Sequence, residues 1–208
     1  MSKKLYGALL SVLAVVAFAT MTSSAMALPH WYSNGVKISE GTAEKPNKVQ
    51  VITWGTLTLE NAALGKVICK VSDAGNVWNP AGGGNGLDEI VLFDLYECTS
   101  ATCEGTVTVT AALLPWLTEL VAGPPIRDRV KGISVTVKCT KPVVEATFTG
   151  ELTPEIVNGT SAAKPSFAEF GAGSGELEGP VGIGKAKISG KDKFLGFNEQ
   201  ELITVKNP

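Results

Sequence analysis

The sequence predicts an all-β fold: an antiparallel β-sandwich or barrel-like domain, stapled by two disulfides and preceded by a signal peptide. Three observations carry this reading. Apolar and polar residues alternate with a period of two along much of the chain. Gly, Thr and Val are abundant while long helix-forming runs are scarce. Four cysteines, Cys69, Cys98, Cys103 and Cys139, all follow an export-type N-terminus.

Lys3 and Lys4 form a short basic region. Residues 5–20 are apolar but for Gly7, Ser11 and Thr20, and Ala25-Met26-Ala27 supplies an A-x-A cleavage pattern. Residues 1–27 are therefore expected to be removed, leaving 28–208 as the mature chain. The apolar run is too short and wrongly flanked for a spanning helix, and no later stretch offers one. A secreted, extracellular protein with no integral membrane segment in the mature chain is the expectation.

Without Lys3 and Lys4 the mature chain carries 16 basic residues against 20 acidic ones. That is ordinary solubility charge with no basic tract, which argues against a nucleic-acid partner. A chain of this length buries roughly 70% of its unfolded surface in one core. One domain over 28–208 is expected, with 151–208 as a smaller second unit in the alternative division.

Residues 28–47 read as an irregular entry segment. Residues 49–59 (VQVITWGTLTL) read as a strand in which Gly55 marks a bulge or a close backbone approach. Val67, Cys69 and Val71 alternate with Lys66 and Lys70, so one face of that strand is buried. Residues 89–98 (EIVLFDLYEC) are apolar on both parities and predict a strand covered on both sides. Residues 105–111, 133–140, 143–150, 185–189, 194–197 and 202–205 continue the series, separated by Gly, Pro, Asn and Asp. Residues 113–122 predict the one short helix, with Pro115 opening it, and residues 158–183 predict a long mobile loop.

Cys69 and Cys139 fall on the apolar parity of their strands, so both point inward and suit a bridge between sheets. Cys98 and Cys103 flank a four-residue turn and suit a hairpin staple. Cys69–Cys139 with Cys98–Cys103 is the expected pairing. Cys69–Cys98 with Cys103–Cys139, and the crossed set, stay open. The cysteines lack CxxC spacing and the chain has a single His, so zinc is not expected.

No constellation specifies catalysis, a cofactor or a metal. Residues 83–91 (GGNGLDEIV) match one calcium nonapeptide, but that architecture shares each ion between repeats and no second copy exists. Tyr96-Glu97-Cys98 matches the Y-x-C of immunoglobulin strands without the upstream Cys and Trp spacing. His30, the single imidazole, sits at the mature terminus, so His-dependent chemistry would rest on one terminal residue. Paired carboxylates remain, since glycoside hydrolysis needs two. The candidates are Asp88, Glu89, Asp94, Glu97, Glu119 and Asp128, with Asp94 the one set among apolar strand neighbours. Arg127-Asp128-Arg129 reads as a salt-bridged loop or an anion grip, and Asn158-Gly159-Thr160 is a glycosylation sequon.

Exposed aromatics are the better hint, because sugars stack on them. Trp31, Tyr32, Trp54, Trp78 and Trp116 are available; core packing is expected for Trp54 and Trp116, and a turn for Trp78. The strings ITWGTLTLE around Trp54, LPWL at 114–117, RDRV at 127–130 and GKAKISG at 184–190 resemble small exported proteins of high-GC actinobacteria. The resemblance implies an exported β protein and carries no site residues. The functional expectation is a non-catalytic extracellular binding or structural protein whose partner is a surface, a glycan or a protein, such as a cell-surface protein. The alternative is a secreted carboxylate-dependent hydrolase such as a glycosidase.

Overall fold

A computed structural model describes residues 28–207, and the expected signal segment lies outside the described residues. Every regular element among them is a strand. The entry segment gives β1 (His30–Ser33), β2 (Val36–Lys37) and β3 (Glu40–Gly41). Long strands follow: β4 (Val49–Asn61), β5 (Gly65–Pro80) and β6 (Leu87–Ser100). Next come β7 (Val107–Ala111), β8 (Trp116–Val121), β9 (Arg127–Thr140) and β10 (Val143–Leu152). The chain ends with β11 (Glu155–Val157), β12 (Ser166–Phe170), β13 (Glu176–Leu177), β14 (Ala186–Gly196) and β15 (Ile203–Lys206).

The main sheet closes on itself. Its hydrogen-bonded path runs β9–β11–β12–β14–β4–β5–β6–β8, and β8 pairs again with β9. Of the two forms the sequence left open, the fold is therefore the barrel. β9 takes part in two layers of it. Its first half pairs with β8 and β11, and its second half pairs with β7 and β10. The change falls at Lys131-Gly132, a bulge opposite Glu151 with Gly132 at φ 72°. Closure needs sharply coiled strands. An added Cβ on inward Gly55 would lie 2.0 Å from the Lys191 carbonyl oxygen, and one on Gly75 would lie 2.1 Å from that of Glu89.

Alternation sets inside from outside. On β5, Val67, Cys69, Val71 and Val77 are buried while Lys66, Ile68 and Lys70 face out. One apolar layer gathers Leu59, Val67, Cys69, Val109, Trp116, Val135 and Phe148. A second gathers Trp31, Val51, Val77, Leu120, Ile156 and Phe194 with Ile203 and Val205 of β15. The small β15–β1–β2 sheet supplies that layer, and Trp31 meets Phe194 edge-on at 6.0 Å. With Lys and Glu side chains paired across the outer surface, this is the reverse of a lipid-facing barrel.

The disulfides are Cys69–Cys98 and Cys103–Cys139, which corrects the expected pairing. Cys69 and Cys139 do face inward, but they lie on strands that are not neighbours. A register shift between β5 and β6 brings Cys98 beside Cys69, at a Cα separation of 4.1 Å. Val107 pairs with Cys139, so the segment leading into β7 carries Cys103 to the same end of β9. All four cysteines are bridged, in keeping with an oxidising compartment.

Four local expectations also change. Residues 116–121 form β8 because Trp116, Thr118 and Leu120 alternate inward against Leu117, Glu119 and Val121. Residues 158–183 are not a free loop: they hold β12 and β13, and β12 pairs with both β11 and β14. The separate strands expected at 185–189 and 194–197 merge into one, β14, which runs Ala186–Gly196. The doubly apolar run of β6 is not doubly covered; a bulge between Ile90 and Leu92 leaves Val91 and Leu92 on the outer surface.

Candidate functional site

Two features stand out, one inside the barrel and one outside. Inside, two apolar cavities of about 70 and 80 Å³ adjoin, sharing Ile90, Phe93, Val130 and Phe170. Neither approaches the roughly 300 Å³ of an ordinary small-molecule pocket. The second is walled in part by Asp73, Asp88, Asp128 and Asp192.

These carboxyls form two sets of the same design. Asp73 lies opposite Thr53 on β4, and Asp192 lies opposite Gly55, two residues further along β4. Asp88 lies opposite Thr118 on β8, and Asp128 lies opposite Leu120, again two residues further. Each set is thus a pair of inward aspartates on either side of a strand that carries a Thr, in the same register. Thr53 Oγ1 donates to Asp192 Oδ2 at 2.9 Å, whereas Thr118 Oγ1 has no hydrogen-bond partner among the described residues; the cavity brings Asp73 toward Asp192 and Asp88 toward Asp128.

Burial raises all four carboxyls above the usual aspartate range. Asp88 is pushed well up by desolvation, then by the charge of Asp128; Asp192 is pushed well up by desolvation, then by Asp73. Asp128 is pushed to about 7 by desolvation, which outweighs the opposing influence of Thr118 and Asp88 beside it. Asp73 is raised by desolvation, which outweighs the opposing influence of Asp192 and Thr53 beside it. Each pair therefore titrates as a unit, displaced above the ordinary aspartate range.

Of the sequence candidates, the structure brings Asp88 and Asp128 together and leaves the others apart. Asp94 lies on the outer face opposite Ser72. Glu89 is tied to Lys48 at 2.6 Å and Asn76 at 2.8 Å, Glu97 to Lys70, and Glu119 to Lys131. His30 is buried in β1 with both ring nitrogens unpartnered, and desolvation, then Lys37, lowers its pKa. Arg127 donates to the Gly173 carbonyl at 2.6 Å, so the Arg-Asp-Arg segment is strand rather than loop. The Asn158 side chain bridges the Val205 backbone in both directions, which occupies the sequon amide. In the glycine-rich 83–91 segment, Asp88 turns into the barrel. Among the described residues no three His, Cys, Asp or Glu side chains converge to hold a metal ion.

Sequence reasoning missed Asp73 and Asp192. The signal was there: each sits on the inward parity of its strand, with Val71 and Val77 or with Phe194.

Outside, β12, β14, β4, β5 and β6 present a broad face. Phe167, Lys193, Trp54, Ser72 and Asp94 fall in one cross-strand row, and Glu169, Lys191, Thr56, Lys70 and Tyr96 in the next. Trp54 is 36% exposed and Tyr96 40%, so the expected core role of Trp54 is corrected. Inward parity on β4 belongs to Thr53 and Gly55, which turns Trp54 out. A shallow groove of about 450 Å³ runs between Trp54, Tyr96 and the three lysines. Lys191 lies 4.4 Å above the Phe167 ring and 3.2 Å from Glu169. Trp116 and Trp31 are buried, and Trp78 is half-buried on β5 under Lys48.

Fold and site define a closed, disulfide-bridged β-barrel with a carboxyl layer inside and an aromatic–lysine platform outside. No protein-family model, curated protein or solved structure matches the chain.

Proposed function

We propose that this is a secreted, non-catalytic binding protein that holds acidic polysaccharide on the platform around Trp54. One observation carries the reading: Phe167, Trp54 and Tyr96 alternate with Lys70, Lys191 and Lys193 across adjacent rows of an exposed sheet face. Flat rings offer stacking surfaces to sugar rings, and the ammonium groups between them suit carboxylate or phosphate substituents. The interior supports this assignment by its size, since its cavities are too small for a sugar residue with its hydration. The same burial weighs against a carboxylate-dependent hydrolase: the paired aspartates stand behind the barrel wall, out of reach of a glycosidic bond. Export through residues 1–27, and kinship with the exported actinobacterial proteins that the sequence resembles, complete the proposal.

The test uses protein recovered from the culture medium, whose N-terminus should be Leu28. Titration calorimetry should detect binding of a polyuronic acid but not of a neutral glucan, with affinity falling as salt rises. Trp54→Ala and Lys193→Glu should each weaken binding by about tenfold or more, as loss of a central contact does. Equal affinity for the neutral glucan, or variants that bind as the parent does, would sink the reading.

A further inference from the structure

We propose that the two buried aspartate pairs, Asp73 with Asp192 and Asp88 with Asp128, are a proton-operated lock: one shared proton per pair ties the walls of the barrel together, and losing these protons loosens it. The lock is independent of any ligand on the outer face.

Asp73 and Asp192 join β5 to β14 across β4, and Asp88 and Asp128 join β6 to β9 across β8. Together the two ties span six consecutive strands of the closed ring. Asp73, Asp128 and Asp192 are more than nine-tenths buried, and the Oδ1 atoms of Asp88, Asp128 and Asp192 have no donor partner. The titratable and charged side chains facing this cavity are few. β5 contributes Asp73, β9 Asp128 and β14 Asp192; β6 contributes Asp88 and Glu89, the latter held by Lys48 and Asn76. β4 adds Thr53, while β1, β11 and β12 add Trp31, Ile156, Ala168 and Phe170. Among the described residues, no Lys, Arg or His lines the cavity. Arg127, Arg129, Lys191 and Lys193 stand on the opposite parity of β9 and β14, facing outward.

With no cation inside, a pair that gives up its proton to solvent becomes two adjacent buried carboxylates. Repulsion and desolvation then favour opening of the wall. The direction follows from linkage. The folded chain holds these protons to about neutrality or beyond, whereas the unfolded chain releases them in the ordinary aspartate range. Their contribution to stability is therefore complete in acid. It is lost as pH rises through the folded values.

The test is urea unfolding of the mature chain between pH 4 and 9. In the mid-range the folding constant should fall by up to about tenfold per pH unit for each pair. Asp88→Asn and Asp192→Asn keep a donor where the shared proton sits, so each should flatten the profile and the double variant should remove it. If a variant does not fold, infrared difference spectra of the parent provide a second readout. A protonated-carboxyl band that persists at neutral pH and disappears in alkali supports the lock. Stability that is flat or rising over the range, or no such band, would overturn it. So would an alkaline stability restored by added calcium, which would make the carboxyls a cation site instead.

Discussion

Asn79 lies fully buried on β5 and accepts a hydrogen bond from the Trp31 amide at 2.8 Å. Its Nδ2 donates to the carbonyls of Trp31 and Ile38 at 2.9 and 2.8 Å. One amide thus satisfies three backbone groups of the entry segment, which has little ladder of its own beyond β1 and β2. Replacing it by Ala strands those groups away from water, at roughly 1–3 kcal/mol for a buried group left unsatisfied. Asn79→Ala should therefore cost about 3 kcal/mol in urea unfolding at acid pH, where the carboxyl pairs stay protonated. A cost under about 1 kcal/mol would mean that water replaces the amide freely. At this scale the sequence was readable in parity but not in partnership. The inward setting of Asp73 can be read from Val71 and Val77. Its meeting with Asp192, 119 residues away, depends on the register of β14 against β4.

Strands were legible where alternation is clean, as in β5, β7 and β9, because one face meets the core and the other meets water. Three kinds of element were not. β8 resembled a helix because its outward positions include Leu117 and Val121, which blur the period. β12 and β13 are short and set among Gly, Ser and Pro, so their strand character comes from partners rather than from composition. The bulges in β6 exchange parities within one run, and this misdirected both the coverage of that strand and the pairing of Cys98. The observed disulfides each close a comparable loop, with separations of 29 and 36 residues. In the chain-entropy treatment each contributes roughly 3.5–4 kcal/mol. Cys103→Ser with Cys139→Ser should lower stability by about that much while leaving the Cys69–Cys98 bridge in place. Urea unfolding with non-reducing peptide mapping checks both. Recovery of a Cys69–Cys139 peptide from the parent would reject the assigned pairing.

For the whole molecule, the sequence indicated that strands would enclose a core, and the closed ring decides what that core can do. Closure was not legible, because it rests on β9 pairing with β8 on one side and β11 on the other, and single-strand periodicity says nothing about neighbours. A closed ring with an interior of small cavities separates the core from recognition, and that separation can be tested. The apolar cavity of about 70 Å³ is lined by Leu57, Val109, Val135 and Ile188 among others, and leaves packing contacts unmade. Val109→Ile adds one methylene on the inward side of β7, where the cavity has room for it. Burying that group should raise stability by about 0.8 kcal/mol, seen as a higher urea midpoint with an unchanged slope. Polyuronate affinity should not change, because Trp54 and the lysines stand on the far side of the wall. If filling the cavity instead weakened polysaccharide binding while the midpoint rose, the interior would have to be part of the recognition site. The outer platform would then be only its rim.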